Sequence, residues 1–180
     1  MYFKNVTIAY PEEDKKMEKS VYICGPLTEL PEDKKPTIYN FYELIGALAE
    51  EVFGVPGFVP HKHCDPVLHK TLTPMQVNNI ERNQVGNLTS CLVVVTIAPS
   101  WGGGIEVEMA YRSDVPIIIL HEVGKKPSRL LLGNPGVKAV VEYASVDDAL
   151  LRLNREFLAL LKKEPGSITS TATLAETATG

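Results

Sequence analysis

The sequence has few cysteines, no excess of positive charge and no long apolar run. Its 3 cysteines, Cys24, Cys64 and Cys91, lack the CxxC spacing of zinc and redox sites. The formal net charge is −4, so no basic field exists to hold a phosphodiester backbone. The longest apolar stretches, at 92–95 and 115–120, fall short of the roughly 18 residues that a membrane helix needs. We therefore expect a soluble cytoplasmic protein, with reduced thiols, that binds neither nucleic acid nor membrane.

Length and composition predict one domain with an extension at each end. With 44% apolar and 22% charged residues, the 180-residue chain has a globular composition and can bury one sizeable core. Residues 1–19 are charged, carry one strand-like run at 6–10 and lack the apolar core of a signal peptide, so they are predicted to be an extension. Residues 165–180 begin with Pro-Gly and show no apolar periodicity, which predicts a disordered tail. The domain is assigned to residues 20–164.

Short apolar runs alternate with amphipathic stretches between these ends. Continuous β-branched runs are typical of parallel strands covered on both faces, and the strand candidates are 21–24, 57–60, 91–97, 115–120 and 137–143. Helices are predicted over 38–52, from Pro74 toward Leu88, after Gly104 and from Ser145. The alternation predicts a doubly wound α/β fold, flavodoxin-like or Rossmann-like, with about five parallel strands and helices on both faces. Ligands of such sheets bind beyond the carboxyl ends of the strands.

A glycine-rich loop follows the third strand candidate. Gly102, Gly103 and Gly104 allow a ligand to approach the backbone closely, and the helix N-terminus behind them favours an anion. The loop is not a dinucleotide fingerprint, because Val107 stands where GxGxxG requires glycine, and no P-loop lysine follows. Glu106 is predicted in the first turn of the helix, where the dipole favours the ionised carboxylate of a nucleophile. An ordinary surface glutamate is the alternative interpretation.

The strand opening and the glycine loop together resemble the nucleoside 2-deoxyribosyltransferase family, including its relatives, the 2′-deoxynucleoside 5′-phosphate N-hydrolases. The resemblance covers residues 21–143 and rests on Tyr-x-x-Gly-Pro at 22–26, on the strand at 90–95, and on 102–110 running into 115–120. It implies an enzyme that cleaves the N-glycosidic bond of a small-molecule nucleoside or its 5′-monophosphate. The sugar would form a covalent intermediate with Glu106 and then pass to water, as in a hydrolase, or to another base, as in a transferase. The resemblance implies no cofactor, and it implies a homodimer or larger homo-oligomer.

The resemblance also assigns a residue to the leaving base. Asn83 takes the position of the aspartate that assists this base in the family, but asparagine donates a hydrogen bond and cannot deliver a proton. Either a neighbour such as Glu81 or Asp65 supplies the acid, or the chain is a catalytically impaired nucleotide-binding module. Ser100, a small hydroxyl residue where the transferases carry an acid, favours a 5′-phosphate on the substrate.

Further substrate contacts are predicted around the strand ends, and they are Tyr22, Gly25, Pro26, His61, Ser100, Trp101, Gly102, Gly103, Gly104 and Ser128. Trp101 would stack on the base or simply pack in the loop. Ser128 would contact a phosphate or simply begin a helix.

The histidines near the second strand candidate allow two interpretations. His61, His63 and Asp65 alternate, so in an extended segment they would face one side and could bind a metal. The pattern contains no distant fourth ligand, although His69 and His121 occur elsewhere. We therefore favour a loop that lines the base pocket and predict no metal.

Overall fold

A four-stranded parallel sheet forms the centre of the computed structural model, which describes residues 19–163. The strands lie in chain order, β1 (Ser20–Cys24), β2 (Thr89–Val95), β3 (Ile117–Glu122) and β4 (Val137–Tyr143). The helices are α1 (Lys35–Phe53), α2 (His61–Cys64), α3 (Pro74–Asn87), α4 (Trp101–Arg112), α5 (Arg129–Leu132) and α6 (Val146–Lys163). The predicted doubly wound α/β fold is thus confirmed. The predicted tail, and all of the predicted extension except Lys19, lie outside the described residues.

The predicted strand at 57–60 contributes a single bridge to the sheet. Phe58 pairs with Tyr22 in parallel, its N–H donates to the Val21 carbonyl over 2.7 Å, and its carbonyl accepts from Ile23 N–H over 3.0 Å. Prolines at 56 and 60 flank this segment and have no N–H to extend a ladder. The expected count of about five strands is therefore corrected to four. Counted with the bridge, the spatial order is 2-1-3-4-5, that of flavodoxin-like sheets, whose switch point lies between β1 and β2.

The two faces of the sheet carry separate cores, because successive residues of each strand point to opposite sides. On one face Val93 of β2 packs in a cluster with residues of α1 and α6, including Ile45 and Phe157. On the other face Leu92 packs in a cluster with residues of α3 and α4, including Val85. This double burial explains why the strands consist of continuous apolar runs. No helix within residues 19–163 is long and apolar enough to cross a membrane.

The ends of the helices follow local sequence signals. Thr73 and Gln76 form a reciprocal capping box at the start of α3, as the position of Pro74 suggested. Ser145 and Asp148 both make capping hydrogen bonds at the start of α6. The helix predicted to open after Gly104 begins earlier, because the Ser100 side chain caps it by accepting the Gly103 N–H over 3.1 Å. Two of its first three residues are therefore glycines.

Candidate active site

A cleft of about 660 Å³ opens beyond the carboxyl ends of β1 and β2. One wall is formed by the turn after β1 and the N-terminal half of α4, and the other by residues 64–72 and α3. The residues lining it are Gly25, Pro26, Leu27, Thr28, Glu29, Cys64, Pro66, His69, Lys70, Leu72, Pro74, Val77, Asn78, Glu81, Ser100, Trp101, Gly102, Ile105, Glu106 and Met109. The cleft thus occupies the switch point where α/β sheets of this order bind ligands.

Two carboxylates face each other across this cleft. Glu106 is half-buried on α4, and Glu81 is 9% exposed on α3. Burial and the charge of Glu81 raise the pKa of Glu106 to about 7, although hydrogen bonds from Cys24 and Tyr22 oppose the shift. Burial likewise raises the pKa of Glu81, against hydrogen bonds from Tyr22 and Cys64. Because the two charges repel each other in a shielded site, the pair retains a proton at higher pH than an isolated glutamate would.

The pKa of Glu106 corrects one prediction from the sequence. Since α4 begins at Trp101, Glu106 lies in its second turn and not in the first. The helix dipole acts mainly within the first turn, so it does not dominate here. Desolvation and the neighbouring Glu81 prevail, and the pKa of Glu106 rises where the dipole argument favoured a low value.

Hydrogen-bond donors from β1 and α2 hold the carboxylate pair. The hydroxyl of the fully buried Tyr22 donates to Oε2 of Glu81, and its ring stacks on Phe58 with centroids 5.3 Å apart. The Cys24 thiol lies beside Glu106 and 3.9 Å from the Gly103 carbonyl. Burial first, and then the nearby carboxylates, raise the pKa of Tyr22 and of Cys24 well above their ordinary values. Both groups therefore stay protonated and act as donors.

Glycines give the site its close packing. A Cβ at Gly25 would overlap the ring of Tyr42, whose hydroxyl donates to the Pro26 carbonyl over 3.1 Å. A Cβ at Gly103 would lie 3.1 Å from the Cys24 sulfur. One at Gly102 would lie 3.8 Å from Oε1 of Glu106, on the surface of the cleft. Side chains at these positions would crowd the turn after β1 or narrow the approach to Glu106.

The structure brings most of the predicted contacts together. Gly25, Pro26, Ser100, Trp101 and Gly102 line the cleft. Trp101 is 91% exposed, so of the two interpretations of this residue, loop packing does not fit. Gly103 lies buried just behind the cleft, whereas Gly104 is exposed and faces away from it.

Three predicted contacts lie elsewhere. Asn83 is exposed, and its Oδ1 accepts a hydrogen bond from Asn87 Nδ2 over 3.0 Å, so its position does not fit contact with a base in this cleft. On α3 it is two residues, or about 200°, from Glu81, which does face the cleft. Ser128 is exposed before α5 and makes no side-chain cap. His61 is buried against α1, with its Nε2 3.0 Å from Oε1 of Glu43.

The histidine segment does not take the extended form that metal binding would need. Residues 61–64 form the helical turn α2, so alternate side chains diverge. Asp65 accepts hydrogen bonds from the N–H groups of Val67 and Leu68 and from the Tyr39 hydroxyl. Burial alone would raise the pKa of Asp65, but these bonds lower it, so Asp65 is ionised and poorly suited to be the acid. Within residues 19–163 no three His, Cys, Asp or Glu side chains are grouped as metal ligands would be.

Sequence reasoning missed Lys70 and Asn78, named His69 only in weighing a metal site, and named Glu81 only as a substitute for Asn83. A signal for Glu81 was present, because Val77, Glu81 and Val85 recur every four residues and so share one helix face. Val85 is fully buried and Val77 lines the cleft, so the carboxylate between them had to point inward. Nothing in the sequence marks His69 or Lys70, because they lie in an irregular segment between α2 and α3.

Comparisons with known proteins give matches at the level of three-dimensional structure. No family model matches the sequence, and no curated protein does. The structure of CMP N-glycosidase BcmB from Clostridium botulinum is similar, with 17% identity and a TM-score of 0.57 over 77% of this chain and 99% of that one. BlsM has 19% identity and a TM-score of 0.58, over 87% of this chain and 99% of its own. A conserved protein from Enterococcus faecalis V583 has 15% identity and a TM-score of 0.52, over 77% and 98%.

These three neighbours share one architecture, that of the nucleoside 2-deoxyribosyltransferase-like proteins. The present chain matches them over nearly their whole length, with the cleft at the switch point of the sheet. At these identities the likeness concerns the fold, and the chain has the nucleoside 2-deoxyribosyltransferase-like fold.

Proposed function

We propose that this protein is a nucleotide N-glycosidase, which cleaves the bond between sugar and base in a nucleoside 5′-monophosphate and passes the sugar to water. The observation that carries the proposal is the pair Glu106 and Glu81, two carboxylates of raised pKa that line one cleft. Paired carboxylates are what glycosidic cleavage requires, one to attack the anomeric carbon and one to handle the proton. The similarity to a CMP N-glycosidase supports a nucleotide as substrate.

The reaction takes place in two displacements. A carboxylate oxygen of Glu106 forms a bond to C1′ while the bond from C1′ to the base nitrogen breaks, and the base leaves with that electron pair. Glu81 delivers its proton to the departing base and becomes a carboxylate. A water molecule then attacks C1′, Glu81 takes up its proton, and the ester bond to Glu106 breaks. The products are the free base and the sugar 5-phosphate, with the configuration at C1′ retained.

The electrostatics of the cleft supply the one shared proton that these roles need, and the bound substrate decides which carboxylate holds it. The nucleophile must be ionised and the acid protonated, so the pair must hold one proton between them. Burial raises the pKa of both groups, and the charge of Glu81 raises that of Glu106 further, which favours such a state near neutral pH. Positive charge that develops on the sugar would stabilise the Glu106 carboxylate. We therefore assign to Glu81 the proton donation that the family's aspartate performs, whose position Asn83 takes in this sequence.

A 5′-phosphate is proposed to lie at the N-terminus of α4. Ser100 lines the cleft there, and because its oxygen accepts the Gly103 N–H, its hydroxyl hydrogen remains free to donate. The first N–H groups of a helix and its dipole favour an anion at this end. Lys70 adds a positive charge to the lining. The sugar would then lie between Ser100 and Glu106.

Two alternative functions would use this same site. A second base in place of water would make the protein a deoxyribosyltransferase, because the covalent intermediate is the same. Loss of turnover would leave a nucleotide-binding module, the interpretation that Asn83 suggested; the position of Glu81 weakens that argument. The homodimer or larger homo-oligomer implied by the family resemblance also remains a proposal, for which light scattering is the measurement.

Base release is the experiment that tests the proposal. Cytidine and adenosine, their 5′-monophosphates and the 2′-deoxy forms would be incubated with the protein, with and without an acceptor base, and the products separated by chromatography. We expect free base and sugar phosphate from a monophosphate, no product with Glu106→Gln, and near-normal rates with Asn83→Ala. Product that requires the acceptor would indicate the transferase. Full activity of Glu106→Gln would refute the mechanism.

A further inference from the structure

His69 lies on the wall of the cleft opposite α4, in the segment that joins α2 to α3. The backbone on both sides of it is fixed, since its N–H donates to the Asp65 carbonyl over 2.8 Å and its carbonyl accepts from Leu72 N–H over 2.9 Å. Asp65 is in turn anchored to α1 through the Tyr39 hydroxyl over 3.2 Å. The backbone that carries the imidazole is therefore held in position by the loop before any ligand binds.

The two ring nitrogens of His69 differ in their surroundings. Nδ1 is buried and has no hydrogen-bond partner within the described part of the chain. The residue as a whole is only half-buried and lines the cleft, which leaves Nε2 as the ring nitrogen that a ligand in the cleft can reach. A buried N–H without an acceptor is rarer and more costly than a buried bare acceptor. In the neutral ring the proton therefore lies on Nε2, and His69 presents a single N–H donor to the cleft.

The division of the cleft places this donor beside the base. If the phosphate lies at the start of α4 and C1′ at Glu106, the base must extend toward α3, which carries Glu81, the proposed proton donor. The surroundings there are Leu72, Pro74 and Val77, apolar groups suited to the face of a flat ring. His69 belongs to this half of the cleft.

We infer that His69 binds the nucleobase, donating its Nε2–H to a ring nitrogen or carbonyl oxygen of the base. The inference rests on the proposed function, and it deepens it by naming how the base is recognised. The bond involves no proton transfer, because Nε2 keeps its hydrogen. It strengthens as the base leaves with the bonding electron pair, since the acceptor atom gains negative charge. Cytosine offers O2 and N3 as acceptors on this edge.

Binding measurements on variants of His69 test the inference. Calorimetry would give the affinities of His69→Ala, His69→Asn and Leu68→Ala for cytidine 5′-monophosphate and for ribose 5-phosphate, which has no base. Leu68 is the matched control, because it is the neighbouring residue, is 73% exposed and does not line the cleft. Loss of one hydrogen bond predicts about three- to tenfold weaker binding of the nucleotide by His69→Ala. Binding of ribose 5-phosphate should be unchanged, and His69→Asn, which restores a donor, should recover part of the loss.

Each other outcome contradicts the inference. Equal losses for both ligands would place His69 at the sugar phosphate or give it a purely structural role, and unchanged nucleotide binding would remove it from the site. The result can be separated from the test of the proposed function. A wild-type protein that binds the nucleotide and releases no base would refute the N-glycosidase, yet the difference between the two ligands would still decide the role of His69. Binding of neither ligand by the wild type would overturn both.

Discussion

Replacing Glu106 by glutamine should stabilise the protein at neutral pH while it abolishes turnover. Burial and the charge of Glu81 raise the pKa of Glu106 from its ordinary 4.5 to about 7 in the folded state. Between these two values the carboxyl of Glu106 binds more protons in the folded protein than in the unfolded chain, so its contribution to the stability of the wild type falls as the pH rises. Glutamine carries no charge, so the variant does not lose this stability as the pH rises.

The magnitude follows from the pKa values. A rise from 4.5 to about 7 corresponds to a destabilisation of about 3 kcal/mol above pH 7, at 1.36 kcal/mol per pH unit. This is an upper value, because Glu106 is only half-buried and the glutamine amide must find its own acceptor. We expect a net gain of about 1–3 kcal/mol for Glu106→Gln at pH 8, which in a chain of this size raises Tm by about 2–10 °C. Near pH 4 the charge-dependent part of the gain should vanish.

Thermal and urea unfolding of both proteins between pH 4 and pH 8 would measure this difference. The control is Glu108→Gln, which removes an exposed carboxylate from the same helix together with its 2.8 Å salt bridge to Arg112. Such a bridge contributes at most about 1 kcal/mol, so this variant should be no more stable than the wild type. A stability difference for Glu106→Gln that does not change with pH, or a variant less stable at pH 8 than at pH 4 relative to wild type, would refute the electrostatic reasoning.

Two further variants probe the groups that hold the site. Tyr22→Phe removes the hydroxyl that donates to Glu81, and that bond lowers the pKa of Glu81. The alkaline limb of the pH–rate profile should therefore move to higher pH, and kcat should fall by about 10- to 100-fold. The control Tyr111→Phe, at an exposed tyrosine, should change neither the profile nor kcat. An unshifted profile would mean that Glu81 is not the acid. Asp65→Ala should cost about 1–3 kcal/mol at pH 7, because two N–H groups and the Tyr39 hydroxyl lose their acceptor. Hydrogen bonds lower the pKa of Asp65 below its ordinary 3.8, so this contribution is present above that pH and disappears as the pH falls through the folded-state value. Urea unfolding would contradict it if the stability difference between wild type and Asp65→Ala were the same at pH 7 and at pH 3.

The architecture could be predicted from sequence because it depends on coarse patterns. Doubly covered parallel strands must be continuous and apolar, and those of β2 and β3 are, so their presence was clear even where their limits moved by two residues. The segment around Phe58 has the same apolar character, but its flanking prolines limit it to a bridge. Hydrophobicity shows that a segment is buried; the number of backbone hydrogen bonds it makes depends on its neighbours.

The candidate site could be predicted only where a recognisable sequence motif contributes residues to the cleft. The glycine loop fixed the place of Glu106 in the sequence, and the structure places it at the switch point. The placement of Asn83 outside the cleft depends on the rotation of α3, a helix whose apolar stripe is short and contains Glu81 itself. A matching position in a motif does not determine which side chain points inward when the helix has so few apolar residues to orient it. His69 required the folded loop, because its importance lies in a nitrogen left without a partner.

The single bridge at Phe58 has a consequence for how the molecule opens. Strands β2 and β3 are paired on both sides, whereas the segment at Phe58 is attached to β1 by two backbone hydrogen bonds. Local unfolding should therefore begin at this edge, at a free energy well below that of the whole domain. Such an opening would separate Phe58 from the Tyr22 ring and loosen the loop that follows it, which carries His69. Residues 64–72 of the cleft wall thus follow the least stable edge of the sheet, whereas α3 and α4 pack on its core, so we expect a bound base to leave past residues 64–72 while Glu81 and Glu106 stay in place.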